Sequence, residues 1–462
     1  MLPTNIASSR SPAMQVGRRW AVILLLASVW LLGPAPWSWA QQQRERVPAE
    51  FMSFHGAQWL EREERELEEH PEEVVRAMEL QPGDMVADIG CGSGYFTRRV
   101  APIIAPEGRA YCVDIQPEML DIMQKLADRD GVTGIVPVLS EIDDPKLPAG
   151  EIDWIFLADV YHEMSDPEPM LAGMRRALAP DGRVALLEYR IEDGTGDDIK
   201  PDHTMSVRQV LVEWKAAGFE LVDLLEFLPA QHMFILRADG PGIASGDSVE
   251  DYDLLDAVAD EIVDMEAVGA GSERVTVRIK RNTDQRIVIT APVGTYFKSQ
   301  DSTQDMIARR DAAIRLFEDD WQEWTVRAVG RQKNRAVPGS DDRFDVEPPS
   351  SEADLDELMY AIQVGTYTVE DSPTLYPLRT VKVEQAAIWI ADQDLRYAQM
   401  ESEIGDPRLP PQYAAAFALV FCDLAGVDVT SRRIWADRER IFGVLRDPGL
   451  NRWYEVKTAA AR

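Results

Sequence analysis

The chain has 462 residues, of which 45% are hydrophobic and 28% charged. This composition is typical of folded globular domains rather than of disorder, and the length suffices for two or three domains. The formal net charge of −32 argues against nucleic-acid binding and against an anionic membrane surface, because phosphates would be repelled. We interpret the excess acid as a solubilising coat.

Residues 1 to 40 have the features of a secretory signal. Arg18-Arg19 is a basic region, Trp20 to Leu32 is an apolar run, and Ser38-Trp39-Ala40 is a small-residue cleavage site. The apolar run is short for a membrane span. We therefore expect export to the periplasm or another extracytoplasmic site, with no stable membrane span after cleavage. An uncleaved N-terminal anchor is the alternative.

The cysteines are Cys91, Cys112 and Cys422. An exported protein held together by disulfides would show more of them, and an even number. We therefore interpret Cys91 and Cys112 as small apolar residues rather than redox groups. No Cys/His spacing indicates zinc, and we expect no metal site.

The stretch from residue 84 to residue 97 organises the chain. Met85 to Ile89 is an apolar run that predicts a buried strand. The run breaks into Gly90-x-Gly92-x-Gly94, and a helix-compatible segment follows from Tyr95. A strand, a tight glycine turn and a helix N-terminus form the nucleotide-binding corner of an α/β sheet.

Two common nucleotide sites are excluded at this corner. Tyr95 stands where the dinucleotide fingerprint needs a small residue, and a P-loop would need Gly-Lys-Ser/Thr. The second predicted strand, Ala110 to Val113, ends in Asp114, twenty residues after Gly94. An acid at this position can accept both ribose hydroxyls. A glycine turn without a ligand is the alternative.

This combination resembles the class I S-adenosylmethionine (SAM) methyltransferases, in which an acid ends strand one, G-x-G-x-G follows, and an acid ends strand two. Other stretches resemble a bacterial branch of that family with small-molecule acceptors, and the resemblance covers residues 51 to 238. These stretches are Phe54-His-Gly-Ala-Gln-Trp-Leu-Glu-Arg-Glu-Glu-Arg, Asp114-Ile-Gln-Pro-Glu-Met-Leu, Asp159-Val-Tyr-His-Glu, Leu187-Glu-Tyr-Arg and Leu228-Pro-Ala-Gln-His.

The resemblance implies an α/β fold, a Rossmann-like seven-stranded sheet that is mostly parallel with an antiparallel end, and SAM as the cofactor. The glycines would approach the methionine part of SAM, Asp88 would face its ammonium group, and Asp114 would hold the ribose. Glu141 would meet the adenine amino group. The full set of cofactor candidates is Asp88, Gly90, Cys91, Gly92, Gly94, Asp114, Ile115, Glu141 and Asp159.

Tyr161, His162 and Glu163 are the catalytic candidates. Methyl transfer is a direct displacement that needs the acceptor atom in line, and often a base. These residues follow the fourth predicted strand, at the edge where open α/β sheets bind ligands. His162 is the best base candidate because histidine titrates near neutral pH; a structural hydrogen bond is the alternative. We interpret His203 and His232 as structural.

Segments on both sides of the glycine corner complete the first half of the chain. Residues 41 to 50 are a polar linker. Phe51 to Glu69 is predicted as a charged amphipathic helix with Glu/Arg pairs. This helix either exposes a solvated, salt-bridged face or forms a lid over the cofactor.

The second half shows no chemistry that we recognise. Residues 239 to 251 are a Gly/Ser/Asp-rich linker that should tolerate cutting. Strand alternation predicts a small β-sandwich-like domain over residues 252 to 348, with residues 331 to 351 as a connector. Residues 349 to 462 are predicted to be helical. We expect this half to act as a binding or positioning module that contacts a protein or a surface.

The sequence therefore predicts a SAM-dependent methyltransferase that acts on an unidentified, small-molecule acceptor. The alternative is an exported binding or scaffold protein that keeps the fold without turnover, because SAM is made in the cytoplasm. The intact glycine loop and Asp114 argue against that alternative.

The signal interpretation makes a direct prediction about the mature N-terminus. Edman sequencing of protein from its native envelope should begin near Gln41, because the small-residue site ends at Ala40. A retained Met1 would favour the anchored alternative.

Overall fold

The computed structural model describes residues 48–239, 248–364, 369, 371–373 and 380–460, which lie in one compact unit. The predicted signal and most of the adjoining linker lie outside the described residues. So do residues 240–247 of the predicted second linker.

An open sheet over residues 85–238 positions the candidate site. Its strands are β1 (Met85–Ile89), β2 (Arg109–Asp114), β3 (Ile135–Leu139), β4 (Ile152–Ala158), β5 (Leu178–Arg190), β6 (Thr204–Met205), β7 (Phe219–Leu225) and β8 (Gln231–Ala238). The order is β3-β2-β1-β4-β5-β8-β7, and the short β6 pairs with β5. Strands β1 to β5 are parallel, whereas β8 is antiparallel to both neighbours. The predicted Rossmann-like sheet is confirmed.

Helices cover both faces of this sheet. They are α1 (Arg65–Glu68), α2 (Pro71–Ala77), α3 (Thr97–Ile104), α4 (Pro117–Asp130), α5 (Pro167–Ala177) and α6 (Val207–Ala216). Successive residues of a strand point to opposite faces. In β4, Ile155 and Leu157 therefore belong to the core under α5 and α6, and Phe156 to the core under α3. A strand that is buried on both faces has a continuous run of apolar residues in its sequence.

The segment from Phe51 to Glu69 is not the single helix that we predicted. It forms 3₁₀ turns at Phe54–Gly56 and Trp59–Glu61, followed by the short α1. Arg65 pairs with Glu69 at 2.6 Å in the i,i+4 spacing, but Glu61 binds Arg98 of α3 at 2.6 Å. Tertiary ion pairs of this kind override the local helical spacing.

The predicted β-sandwich is wrong, because the strands close into a six-stranded barrel in the order β10-β11-β16-β14-β13-β17. The barrel strands are β10 (Val263–Gly269), β11 (Arg274–Arg281), β13 (Tyr296–Ser299), β14 (Met306–Ala308), β16 (Gln322–Gly330) and β17 (Arg343–Glu347). Strand β17 lies in the stretch that we interpreted as a connector. It pairs with both β10 and β13 and so closes the sheet.

A three-stranded sheet beside the barrel joins it to the first half. Its order is β15-β12-β9, with β9 (Glu250–Asp253), β12 (Ile287–Ala291) and β15 (Ala312–Leu316). Helix α7 (Leu254–Ala259) follows β9. Because β9 begins at Glu250, the end of the predicted linker is part of a sheet.

The C-terminal part is helical, as predicted. Its helices are α8 (Ala353–Val364), α9 (Val381–Gln393), α10 (Tyr397–Ile404), α11 (Pro411–Leu424), α12 (Arg438–Phe442) and α13 (Pro448–Ala460). Helix α11 is buried from Ala414 to Cys422, as expected of a core helix. Among the helices that the structure describes, none combines the length and apolar character needed to cross a bilayer.

The two halves share a buried interface, which the sequence did not predict. Val249 and Val288 belong to the same apolar core as α5 and α6. Asp311, also buried, accepts a hydrogen bond from the Ser206 hydroxyl at 2.7 Å and from the Val293 N–H at 2.7 Å. Removing the residues after 239 would expose this core and leave the Ser206 hydroxyl without its Asp311 acceptor, so we no longer expect the first half to be indifferent to removal of the second.

Replacing Asp311 tests this interface. Asp311→Ala would leave the Ser206 hydroxyl and the Val293 N–H buried without their acceptor, at about 1–3 kcal/mol for each group. The midpoint of thermal unfolding should fall. The exposed Asp341→Ala is the matched control. Equal midpoints for the two variants would show that the interface contributes little.

Candidate active site

Bare backbone forms the loop after β1. Gly90, Gly92 and Gly94 have φ of 68°, 53° and 76°, a region that favours glycine. A Cβ at Gly90 would lie 2.4 Å from the Val160 side chain, and one at Gly92 would lie 2.7 Å from that of Leu60. Neighbouring side chains therefore pack against Gly90 and Gly92, and a larger residue would not fit at either position.

Asp114 ends β2 and ties this loop to the next strand. Its Oδ2 accepts the Gly92 N–H at 3.0 Å, and its Oδ1 accepts the Gln116 N–H at 2.8 Å. Burial raises the pKa of Asp114. Each carboxylate oxygen can accept a second hydrogen bond, so the side chain can also receive ribose hydroxyls.

A disulfide joins Cys91 in the loop to Cys112 in β2, with a Cα–Cα distance of 5.4 Å. Our interpretation of both residues as apolar fillers is therefore wrong. The parallel pairing of β1 with β2 places Asp88 opposite Cys112. The loop after β1 then brings Cys91 close enough to Cys112 to form the bond. The position of each cysteine at the end of adjacent strands was the signal, which the odd cysteine count obscured. Cys422 is buried and free.

Three further cofactor candidates differ in their surroundings. Asp88 is buried, which raises its pKa to about 7, and it accepts a hydrogen bond from Thr97 at 2.5 Å. Ile115 is exposed beside Asp114. Glu141 is exposed and forms an ion pair with Lys146 at 3.1 Å. Their roles toward the cofactor stay predictions.

Asp159 follows β4 in a left-handed conformation with φ of 53°. Its Oδ2 accepts a hydrogen bond from Gln231 at 2.6 Å. Its Oδ1 is buried and has no hydrogen-bond partner within the described parts of the chain. Burial, and then the charges of Glu69 and Glu188, raise the pKa of Asp159 well above its ordinary value. This oxygen is suited to a cationic ligand.

The three catalytic candidates lie on one 3₁₀ turn, Tyr161–Glu163, and do not all face the same way. Tyr161 is fully buried in the core, and its hydroxyl donates to Glu213 at 2.7 Å. Side chains in a 3₁₀ turn point in directions about a third of a turn apart. The structure therefore places Tyr161 apart from the other two, and we assign it no catalytic role.

His162 is buried and oriented by Glu188. Its Nδ1 lies 2.6 Å from Glu188 Oε2, and its N–H donates to Oε1 of the same carboxylate at 3.2 Å. Burial disfavours the charged imidazolium, but Glu188 outweighs that effect and raises the pKa of His162. Nε2 is buried and has no hydrogen-bond partner among the residues the structure describes.

Glu163 and His203 complete a cluster with His162. Burial raises the pKa of Glu163 to about 7, and its Oε1 accepts the Met52 N–H at 3.3 Å. The His203 ring centre lies 5.0 Å from that of His162. One donor atom from each of the three residues lies within 4.8 Å of the others, an arrangement that can hold a metal ion.

His203 belongs to this cluster although we predicted a structural role and no metal site. It ends the turn Pro201–His203, directly before β6, and β6 pairs with the end of β5 beside β4. In the sequence, α5, β5 and the loop after β5 separate it from His162. The position of both histidines after neighbouring strands was the signal.

His232, in contrast, has the structural surroundings that we predicted. Its ring lies between Glu192 at 2.9 Å and Glu226 at 2.8 Å. Burial opposes protonation, but the two carboxylates raise the pKa of His232 to about 10. The charged ring therefore links β8 to the loop after β5, through Glu192, and to the loop before β8, through Glu226.

These features fit SAM. The loop after β1 has the glycines of a nucleotide-binding corner, Asp114 can receive hydroxyls, and the unpartnered Oδ1 of Asp159 suits the positive charge of an ammonium group. The His162, Glu163 and His203 cluster lies beside this loop, because Val160 touches Gly90. A nucleotide corner and a polar cluster thus meet at one edge of the sheet.

Known proteins resemble this region. A family model described as "Methyltransferase domain" matches residues 86–182. The ubiquinone/menaquinone biosynthesis C-methyltransferase of Teredinibacter turnerae is 31% identical over 111 residues, which make up 24% of this chain and 45% of that protein. The protein-L-isoaspartate O-methyltransferase of Aeropyrum pernix is 28% identical over 120 residues, 24% of this chain and 42% of that protein.

A solved SAM-dependent methyltransferase from Aquifex aeolicus is 22% identical, with a TM-score of 0.38, and the match covers 40% of this chain and 98% of that chain. The match spans less than half the length of both curated relatives, at 45% and 42%. The match to the family model runs from β1 into β5.

A thiol assay tests the disulfide. Protein purified without reductant and then denatured should show one free thiol per chain, from Cys422, because Cys91 and Cys112 are joined. The same sample after reduction, which should show all three cysteines, is the control. Three thiols before reduction would contradict the bond.

Proposed function

We propose that this chain, which contains a class I SAM-dependent methyltransferase domain with SAM as its cofactor, transfers a methyl group to a small-molecule acceptor. The observation that carries this proposal is that the glycine loop and Asp114 lie beside the His162 cluster at one sheet edge. Neither half of that arrangement alone would indicate transfer.

Different residues would hold different parts of SAM. The loop from Gly90 to Gly94 would receive the methionine part, and Asp114 the ribose. Asp159, with its unpartnered oxygen, joins Asp88 as a candidate for the ammonium group. SAM supplies a methyl group on a positively charged sulfur, so that the acceptor atom bonds to carbon as the sulfur–carbon bond breaks and S-adenosylhomocysteine leaves.

His162 would serve the acceptor side. Glu188 engages Nδ1, so the ring presents Nε2 as its second functional atom. In the absence of a metal, Nε2 would take the acceptor's proton. Because the cluster is partly buried, water is displaced where the acceptor binds, and charged groups interact more strongly there.

The alternative, a binding or scaffold protein without turnover, is not favoured. Such a protein would not need three glycines at positive φ in the loop after β1, nor the carboxylate of Asp114 at the end of β2. A screen of SAM-dependent methyl transfer against metabolite extracts would identify the acceptor.

We also propose that the chain works outside the cytoplasm. The disulfide between Cys91 and Cys112 supports this, because disulfides persist in oxidising compartments and are rare in the cytosol. The predicted signal supports the same location, and the N-terminal sequencing described above tests it.

Calorimetry tests the cofactor proposal. The wild-type chain should bind SAM and S-adenosylhomocysteine, and Asp114→Ala should weaken binding by about 1–3 kcal/mol, because hydrogen bonds to a charged acceptor are lost. The exposed Asp121→Ala, on α4 after the same strand, is the control and should bind as the wild type does.

Two results would count against the proposal. Absence of binding to folded wild-type chain would remove the cofactor function. Equal affinity of Asp114→Ala and Asp121→Ala would remove the ribose role of Asp114. Circular dichroism of each variant shows whether it is folded before its affinity is compared.

A further inference from the structure

We propose that His162, Glu163 and His203 bind a divalent transition-metal ion beside the SAM site. Their donor atoms already lie within 4.8 Å of one another. Two imidazoles and one carboxylate are a ligand set used by zinc hydrolases and by non-haem iron enzymes, which keep coordination positions open for a substrate.

The two histidines are oriented as metal ligands usually are. His162 Nδ1 lies 2.6 Å from Glu188, and His203 Nδ1 lies 2.7 Å from Asp202. A carboxylate on one ring nitrogen fixes the ring and raises the basicity of the other nitrogen, which then binds the metal. In both residues this leaves Nε2 as the metal-binding atom.

The surroundings of His162 add an independent reason. Its side chain is 3% exposed, and Nε2 has no hydrogen-bond partner among the described residues. A buried nitrogen without a partner is costly, and a metal ion would satisfy it. Glu163 is held through one oxygen by the Met52 N–H, so the other oxygen remains for the ion.

The three donor atoms would have to move closer together to bind one ion. Zinc–nitrogen and zinc–oxygen bonds are about 2.0–2.2 Å, so ligand atoms around one ion lie roughly 3–3.5 Å apart. Side-chain rotation would therefore have to shorten the separation from the present limit of 4.8 Å by roughly 1.3–1.8 Å. The cluster lies on two short turns, which can make such an adjustment without moving a strand.

A base role for His162 does not account for the whole arrangement. Glu188 and His162 suffice for proton transfer, as in other carboxylate–histidine pairs. They leave unexplained why a second histidine, with its own carboxylate, faces the same point. A shared ion explains both pairs together, and it explains why a Glu163 oxygen lies close to both histidines.

The acceptor class follows, and this step rests on the proposed function. An open coordination position on the ion would bind a hydroxyl oxygen of the acceptor, and the ion would lower the pKa of that hydroxyl group. The hydroxyl proton passes to solvent, and the oxygen is the atom that becomes methylated. We therefore infer a hydroxyl-bearing acceptor.

Titration with Zn²⁺ alone tests the site. The full chain, stripped with a chelator and dialysed, should bind one Zn²⁺ per chain by calorimetry, with a higher midpoint of unfolding when Zn²⁺ is present. His203→Ala and Glu163→Gln should each weaken binding by at least about tenfold. Glu163→Gln keeps the size of the side chain and removes its charge.

His55→Ala is the control, because His55 is an exposed histidine of the same half. Wild-type affinity in this variant would show that the loss is specific to the cluster. Absence of stoichiometric Zn²⁺ binding to the wild type, or equal affinity in His203→Ala and His55→Ala, would overturn the proposal. Unfolding midpoints measured without metal show whether each variant is folded.

The test separates this proposal from the proposed function. SAM binding is measured on the same metal-free chain. Zn²⁺ binding without SAM binding would leave the metal site and remove the methyltransferase function. SAM binding and methyl transfer by a chain that does not bind Zn²⁺ would remove the metal site alone.

Discussion

Buried carboxyl groups at one edge of the sheet are the constraint on which the site depends. Asp88, Asp114 and Glu188 belong to the last residues of three parallel strands and are buried, and Asp159 follows a fourth. A buried carboxylate must meet a positive charge or take up a proton. The pKa values of the three aspartates are raised accordingly. A cationic cofactor, and a metal ion beside it, would both relieve this cost. The same property thus favours both proposed ligands.

The C-terminal half contributes by holding the loop that carries His203. Ser206 begins α6 three residues after His203, and its hydroxyl donates to Asp311 of the β15 segment. The neighbouring Arg310 pairs with Glu384 of α9, and both side chains are 1% exposed. Removing one partner of such a buried pair is strongly destabilising. A chain of contacts therefore connects Glu384 of α9, through Arg310 and Asp311, to Ser206, which lies close in sequence to His203. The predicted positioning role of this half, in which we recognise no chemistry, stays a prediction.

The glycine corner was predictable because its signal is local. An apolar run, three glycines and an acid at the end of the next strand lie within about thirty residues, and each follows from backbone geometry. The cluster of His162 with His203 was not predictable in the same way. It depends on which strands are neighbours and on how a 3₁₀ turn directs side chains, so Tyr161 was included and His203 was left out.

The other differences have similar causes. The barrel was missed because β17 lies in a stretch rich in proline and aspartate, where local propensity argues against a strand. The disulfide was missed because the total of three cysteines is a weaker guide than the pairing of β1 with β2. Residues 51–69 do not form one helix, and some of their charged side chains bind α3 instead of pairing along a helix, as Glu61 does through Arg98.

A crystal structure of the full chain with S-adenosylhomocysteine and Zn²⁺ tests the central claim most directly, namely that cofactor and cluster meet at one edge of the sheet. We predict ribose hydroxyls on Asp114, the homocysteine part along Gly90 to Gly94, and the sulfur directed toward an ion held by His162, Glu163 and His203. A ligand bound elsewhere, or a sulfur directed away from this cluster, would contradict the account.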